Sequence, residues 1–205
     1  MITSHEEIIV KVTVMGESSV GKSCLTQRLV RDTFNSQTDS TIGAAYLTIK
    51  KMKGPYGIKF NFWDTAGQER YKSVIPMYIR DANIVLLVFD ITKRDSFEKI
   101  NNWYNYVIIH APSANKILVG SKMDLFLERT VSKEEAEKYA AKHDLKYIEC
   151  SSKLGTNVDK IMEMMLDSVS FSQEKSDQKI IKVHEDKDFP TKVHSCMGDN
   201  RCYNY

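Results

Sequence analysis

A glycine-rich segment near the amino terminus, Gly16 to Ser23, has residue types and spacing that can hold phosphate groups. It reads GESSVGKS and matches the pattern GxxxxGK[ST], with a strand-like run before it and an amphipathic stretch after it. Its two glycines permit a close backbone approach that a Cβ atom would obstruct, so successive N–H groups can converge on phosphate oxygens. Lys22 offers a cation to the β- and γ-phosphates, and Ser23 offers a hydroxyl to Mg²⁺. This segment, the P-loop, predicts binding of a nucleoside polyphosphate.

The helix that begins at the P-loop adds to this expectation, because its positive dipole end points at the same phosphates. The alternative is an ordinary glycine-rich turn with an N-cap serine, which the full match in this context disfavours. The predicted phosphate-binding residues are Gly16, Ser18, Ser19, Val20, Gly21, Lys22, Ser23 and Cys24.

A second polar segment, WDTAGQE from Trp63 to Glu69, follows another strand-like run. Asp64 would lie at the carboxyl end of a strand next to the P-loop, where a carboxylate can hold Mg²⁺ through water. Gly67 can then offer its N–H to the γ-phosphate. The segment predicts that the metal and the terminal phosphate are bound together.

Two further segments indicate which base is bound. Ser121 to Asp124 reads SKMD at the end of one predicted strand, and Cys150 to Lys153 reads CSSK at the end of the next. A carboxylate at Asp124 can accept hydrogen bonds from guanine N1–H and N2–H₂, donors that adenine lacks. Because an unpaired buried acceptor is costly, one well-placed carboxylate can discriminate strongly between the bases. The predicted base-binding residues are Ser121, Lys122, Asp124, Ser151, Ser152 and Lys153.

These segments must be positioned by alternating strands and helices. The apolar pattern predicts strands at Ile8–Met15, Tyr46–Met52, Ile58–Trp63, Ile84–Asp90, Lys116–Gly120 and Lys146–Glu149. Helices are predicted after the P-loop and at Ser73–Arg80, Ser96–His110, Lys133–His143 and Asn157–Ser170. The helix at Lys133–His143 is preceded by Ser132, with Glu135 at capping-box spacing. The second and third strands are joined by a turn too short for a crossover, so that pair must be antiparallel. The rest of the sheet is predicted to be parallel.

Composition excludes several other classes of protein. The 205 residues suit one domain with an appendage, and 42% hydrophobic residues are enough for one core. A formal net charge of +2 indicates no nucleic-acid partner.

The longest apolar run, Ile84–Phe89, is far too short to cross a bilayer, and no secretory signal precedes it. The four cysteines lack zinc-site spacing, which favours a reducing, cytoplasmic location. We expect a domain at 1–170 and a flexible tail at 171–205, with six charges of each sign.

In this order and spacing, GESSVGKS, STIGAAYLT, WDTAGQERYKS, SKMD and CSSK resemble the five nucleotide motifs of Ras-superfamily small GTPases. Within that superfamily the chain resembles the Rab family, and its early-endosome branch in particular. The resemblance implies an α/β P-loop NTPase fold, a small G domain. Its sheet would have six strands, mostly parallel with one antiparallel edge strand, and helices on both faces. It also implies a GTP-hydrolysing switch with GTP/GDP and Mg²⁺ as cofactors. Exchange factors, activating proteins and effectors would act on it in endocytic trafficking.

The resemblance also implies roles for individual residues. Phe34 would pack edgewise on the guanine, and Thr41 would reach Mg²⁺ in the GTP state together with Ser23 and Asp64. Gln68 would position the attacking water, so Gln68 and Lys22 are the expected catalytic residues. Standing alone, Gln68 and Thr41 would each be read as an ordinary loop residue. Loss of the γ-phosphate contacts of Thr41 and Gly67 would release the flanking loops.

Three aromatic residues, Tyr46, Trp63 and Tyr78, resemble the triad with which Rab proteins bind effectors. The alternative is that they belong to the hydrophobic core, where aromatic clusters are commonly found. Partly exposed tryptophan and tyrosine are favoured anchors in interfaces. The expected effector surface therefore depends on where these rings lie.

The chain departs from the family pattern at three places. Ser121 stands where the guanine motif usually begins with Asn, which predicts faster nucleotide release. Ser18 and Ser19 could crowd an incoming catalytic arginine. No arginine can be assigned to that role within the chain, so unaided turnover should be slow, on the order of 10⁻⁴ per second.

The carboxyl terminus resembles a lipidation signal only in part. Cys202 lies four residues from the end, as in C-a-a-X, but Asn204 is polar and Tyr205 is an unusual last residue. Family resemblance favours lipidation of Cys202, with Cys196 as a second candidate. A single lipid without a polybasic segment would hold a membrane marginally. We expect a monomer that cycles between the cytoplasm and the cytosolic face of endosomal or other vesicle membranes.

Two other functions remain open on the sequence. An ATP-consuming P-loop kinase would need an adenine site and an acceptor pocket, neither of which the sequence indicates. A GTP-binding scaffold with negligible hydrolysis is disfavoured by Gln68.

Overall fold

The computed structural model describes residues 7–35, 44–65 and 75–169. Its centre is a six-stranded sheet in the order β2-β3-β1-β4-β5-β6. The strands are β1 Glu7–Met15, β2 Ala44–Lys53, β3 Tyr56–Thr65, β4 Ile84–Asp90, β5 Asn115–Ser121 and β6 Lys146–Glu149. Edge strand β2 runs antiparallel to β3, and the other neighbours are parallel. The predicted mostly parallel sheet with one antiparallel edge strand is confirmed.

Burial explains the strand patterns. Every residue of β4 is buried, which is expected of a central strand with both faces covered. Buried and partly exposed residues alternate along most of β3, because only one face of this part of the sheet is packed under helices.

Six α-helices lie in the described part of the chain: α1 Lys22–Arg31, α2 Ile75–Ile79, α3 Arg94–Glu98, α4 Ile100–His110, α5 Lys133–Lys142 and α6 Val158–Asp167. Residues of α2, α4 and α5 join alternate residues of β4 in a large buried cluster on one face of the sheet. On the other face, α1 contacts β1, β2 and β3 and packs beside α6. Helices on both faces, as predicted, place the loops at the carboxyl ends of the strands around one crevice.

Some helix boundaries differ from the prediction. The helix predicted at Ser96–His110 is two helices, separated at Lys99, whose carbonyl accepts from Asn102 N–H at 3.0 Å and from Trp103 N–H at 3.4 Å. The predicted cap of α5 is confirmed, since the Ser132 hydroxyl accepts a bond from Glu135 N–H. A short 3-10 segment at Met123–Glu128 carries no periodic signal in the sequence.

Among the described residues, no helix has both the length and the apolar character needed to cross a bilayer. The predicted tail, 171–205, with Cys196 and Cys202, lies outside the described residues.

Candidate nucleotide-binding site

The P-loop joins the carboxyl end of β1 to the start of α1, at the point where the sheet order places β3 on one side of β1 and β4 on the other. Ligands of open parallel sheets bind in the crevice at such a reversal of strand order. The carboxyl ends of β3, β5 and β6 lie at the same edge of the sheet. The structure therefore brings the predicted phosphate, metal and base segments to one crevice.

Gly16 shows why the P-loop begins with glycine. Its φ is +143°, and a Cβ atom built there would lie 2.1 Å from the Val88 carbonyl oxygen of β4. Gly21, at φ +95°, is the N-cap of α1 and provides no side-chain cap. The first N–H groups of α1 are therefore available for an anion. Ser18 and Ser19 are exposed on the loop, and Ser19 has a left-handed φ of +62°.

Lys22 is a buried cation held by the P-loop backbone. Its Nζ donates to the carbonyl oxygens of Gly16 at 2.9 Å and Glu17 at 2.7 Å, and the residue is only 5% exposed. Burial lowers the pKa of Lys22 to about 8, and the negative charges of Asp64 and Glu17 oppose that shift. A phosphate bound here would add negative charge to that of Asp64 and Glu17 and would further favour the ammonium form.

Asp64 is the counterpart of Lys22 across the site. It is 2% exposed, and its Oδ1 has no hydrogen-bond partner. Burial raises the pKa of Asp64, while a hydrogen bond with Ser23 and the charge of Lys22 lower it. A buried carboxylate oxygen without a partner beside a serine hydroxyl is the oxygen-rich setting that Mg²⁺ prefers. The residues present therefore fit a magnesium-bound phosphate.

The two segments that are predicted to read the base are bonded to each other. The Ser151 hydroxyl donates to Asp124 Oδ1 at 2.6 Å, and Met123 N–H donates to the Cys150 carbonyl at 3.0 Å. The first bond fixes the plane of the carboxylate that is predicted to read guanine. Two chain segments that are separate in the sequence, both predicted to contact the base, are thus held side by side.

Lys122 is held in place by a residue that the sequence analysis missed. It has a left-handed backbone, with φ +61°, and its Nζ lies 2.6 Å from Oδ2 of the fully buried Asp90. The other oxygen of Asp90 accepts bonds from Thr92 N–H and Oγ1. Asp90 ends the apolar strand β4, and a lone acid at the end of a buried strand is the signal that could have identified it.

Ser121 connects the base side of the site to the phosphate side. Its hydroxyl oxygen lies 2.5 Å from the Val20 carbonyl and 2.8 Å from the Phe89 carbonyl, and the residue is 2% exposed. A hydroxyl has one hydrogen to donate, and both neighbours are acceptors. The shorter of the two contacts, to Val20, ties β5 to the P-loop, and the two carbonyls together leave no hydroxyl hydrogen for the base.

The remaining predicted base-binding residues lie around the same crevice. Arg28 of α1 donates to the carbonyl oxygens of Ser152 at 2.7 Å and Lys153 at 2.8 Å, which attaches the CSSK segment to α1. Cys24 contributes a long contact of 3.8 Å from Sγ to the Asn35 carbonyl, and Phe34 is half-buried after α1. Thr41, Gly67 and Gln68 lie outside the described residues.

The three predicted effector-surface aromatics form one cluster at the surface. Tyr46 and Trp63 are opposite each other in the antiparallel register, with ring centroids 5.0 Å apart, and the centroids of Trp63 and Tyr78 are 5.6 Å apart. Tyr46 is 49% exposed, and the other two rings are half-buried. This position differs from that of a core cluster.

The P-loop surrounds a buried lysine, and it lies beside two bonded segments that are predicted to read a base. These features define a nucleoside-polyphosphate-binding protein of the P-loop class. Comparison with known proteins specifies the family. The model of the Ras family matches residues 11–171. The GTP-binding protein ypt5 of Schizosaccharomyces pombe (strain 972 / ATCC 24843) is 45% identical over 154 residues, which cover 74% of this chain and 73% of ypt5.

The chain therefore belongs to the Ras family, and within it the chain is a Rab GTPase similar to the early-endosome branch. It is a GTPase whose cofactors are GTP or GDP and Mg²⁺. Exchange factors, activating proteins and effectors are its general classes of partner.

Proposed function

We propose that this chain is a switch that binds GTP with Mg²⁺, hydrolyses it to GDP and phosphate, and recruits effectors in endosomal vesicle trafficking while GTP is bound. One observation carries the nucleotide part of the proposal. A buried lysine held by main-chain carbonyls lies close to a buried carboxylate oxygen that has no partner, at the mouth of a P-loop. Both charges need a ligand of the kind that a magnesium-bound triphosphate provides.

Each described residue has a distinct part in the proposed binding. Lys22 neutralises phosphate charge from a fixed position, and the α1 N-terminus donates N–H groups to the same anion. Asp124, oriented by Ser151, accepts from the guanine edge. Lys122, held by Asp90, stays beside the base. These residues bind and orient the nucleotide before any bond breaks.

Ser23 and Asp64 would hold the metal, together with Thr41 in the GTP state. When bound, Mg²⁺ neutralises the charge that develops between the β- and γ-phosphates during hydrolysis. Gln68 would orient the attacking water by accepting from it and donating toward the phosphoryl group. Thr41 and Gly67 would keep their loops ordered only while the γ-phosphate is present, which makes the effector surface dependent on the nucleotide.

Gln68→Leu tests the hydrolytic step. We expect phosphate release in a single turnover to slow by at least about tenfold, because leucine can neither accept from nor donate to the reacting groups. GDP affinity measured on the same variant is the control and should be unchanged. Turnover equal to that of the wild type would remove Gln68 from the mechanism. A wild-type protein that binds GTP but releases no phosphate would support the scaffold alternative.

Ser121→Asn tests the departure from the family pattern. Because the Ser121 hydroxyl is used on the Val20 carbonyl, it adds no bond to the base, whereas the longer amide would have a second donor and an acceptor. We expect stopped-flow release of labelled GDP to slow by roughly three- to tenfold in the variant, as one added hydrogen bond predicts. Ser168→Asn, at a site beyond α6, is the control. An unchanged release rate in Ser121→Asn would contradict the weakening.

The membrane and effector parts of the proposal require other measurements. Lipidation at Cys202, or at Cys196, would attach a monomeric protein to the cytosolic face of the membrane, and mass spectrometry of the native protein would detect the added lipid.

A pull-down that compares GTP-locked and GDP-locked forms would identify effectors. Substitution of Trp63, between the two tyrosines, should reduce capture by the GTP-locked form. Competition between GTP and ATP excludes the kinase alternative if ATP fails to displace labelled GDP.

A further inference from the structure

Glu17, the second residue of the P-loop, is attached by its side chain to α4. Trp103 Nε1–H donates to Glu17 Oε1 at 3.1 Å, and Lys99 Nζ lies 3.4 Å from Glu17 Oε2. Trp103 is 7% exposed, and the Glu17 side chain is 26% exposed. Because Lys99 is more exposed and also pairs with Asp95 at 2.8 Å, the indole is the stronger of the two attachments.

The backbone of Glu17 contacts the phosphate-binding cation. The Glu17 carbonyl accepts from Lys22 Nζ at 2.7 Å, the shorter of the two carbonyl contacts that hold the ammonium. A shift of Glu17 would therefore move the oxygen that positions Lys22. The side chain of the same residue reaches α4, so one residue connects this helix to the cation.

The attachment supplements two others along the loop. Gly16 lies so close to the Val88 carbonyl of β4 that a Cβ atom would clash there, and the Val20 carbonyl accepts from Ser121 of β5. Between them, the Glu17 carboxylate is fastened by a charge-assisted bond, which is stronger than a bond between neutral groups. Each of the three attachments uses a different element to restrict the loop.

We infer that Trp103 and Glu17 form a positioning pair that holds the P-loop in its phosphate-binding conformation and slows nucleotide release. Neither side chain needs to contact the nucleotide for this effect. The pair rests on the proposed nucleotide-binding function of the same loop and identifies α4 as an element that controls it. A structural change at α4 would be transmitted to Lys22 through two hydrogen bonds, one from Trp103 to the Glu17 carboxylate and one from Lys22 to the Glu17 carbonyl.

Loss of the bond can be tolerated by the fold. Glu17, Lys99 and Trp103 border a cavity of about 260 Å³, so water can solvate the carboxylate when the indole donor is removed. Phenylalanine would keep most of the buried ring of Trp103. The expected consequence is a looser P-loop rather than an unfolded protein.

The test is a double-mutant cycle on release of labelled GDP from the full chain with Mg²⁺. Trp103→Phe and Glu17→Ala should each speed release about five- to tenfold, and the double variant should match the single variants within about twofold. Tyr104→Phe, which removes a polar group from a neighbouring aromatic of α4, is the matched control and should leave release unchanged.

Each outcome decides the inference. If release is unchanged in both single variants, or if their effects multiply in the double variant, the positioning pair is disproved and a purely structural role for Trp103 remains. If Trp103→Phe fails to fold, Glu17→Ala alone must speed release. A wild-type chain that binds no labelled GDP would instead disprove the proposed function, before any variant is compared.

Discussion

Replacing Lys22 by alanine should reduce affinity for labelled GDP and GTP by at least about a hundredfold. The substitution removes the cation that faces the phosphates, and hydrogen bonds to charged groups contribute about 1.5–3 kcal/mol each. It also leaves the Gly16 and Glu17 carbonyls without the donor that they share in the structure. Equilibrium fluorescence titration near neutral pH measures the loss.

The design of this experiment must separate binding from folding. Thermal melting without nucleotide should show that Lys22→Ala folds, because removal of a buried cation also removes its desolvation cost. Lys160→Ala, at an exposed position of α6, is the matched control and should bind as the wild type does. Binding by a folded Lys22→Ala within about threefold of the wild type would rule out the assigned role of the P-loop lysine, since one charged hydrogen bond alone should cost more.

Replacing Asp124 by alanine should abolish the preference for guanine over adenine. Two donors on the guanine edge would lose their acceptor, and a site built around hydrogen bonds can discriminate by several powers of ten. We expect GTP affinity to fall by about a hundredfold or more, while weak ATP binding changes little. Competition of GTP and ATP against one labelled diphosphate measures both affinities.

The contact between Asp124 and Ser151 provides an internal comparison. Ser151→Ala leaves the carboxylate in place but removes the donor to its Oδ1, so we expect a smaller loss of GTP affinity with guanine preference retained. Asp159→Ala, on an exposed part of α6, controls for loss of an acid elsewhere. If Asp124→Ala still prefers GTP as strongly as the wild type, the base is read by other groups.

The position of Ser121 changes how its departure from the family pattern is understood. A shorter side chain could have lost both the bond to the P-loop and the bond to the base. The structure retains the first, because the hydroxyl reaches the Val20 carbonyl at 2.5 Å. The expected loss is therefore confined to the hydrogen bond with the base, and Ser121→Asn tests only that bond.

Much of the site was predictable because its chemistry is local. The P-loop glycines, Lys22 and Ser23 lie within eight consecutive residues, and Asp64 lies near the end of a strand with a clear alternating pattern. Burial of β4 and the short turn between β2 and β3 likewise follow from apolar runs and turn length. The sequence alone was sufficient for the sheet, the antiparallel edge and the guanine nucleotide hypothesis.

Only the tertiary structure decided which side chains hold the predicted site residues in place through hydrogen bonds and ion pairs. Trp103 and Glu17 are 86 positions apart, and Ser121 and Val20 are 101 apart, so no local pattern indicates that they are bonded. Asp90 meets Lys122 because β4 and β5 end side by side. Hydrogen bonds depend on distances of a few ångströms, and only the strand order and helix packing bring such distant residues within that range.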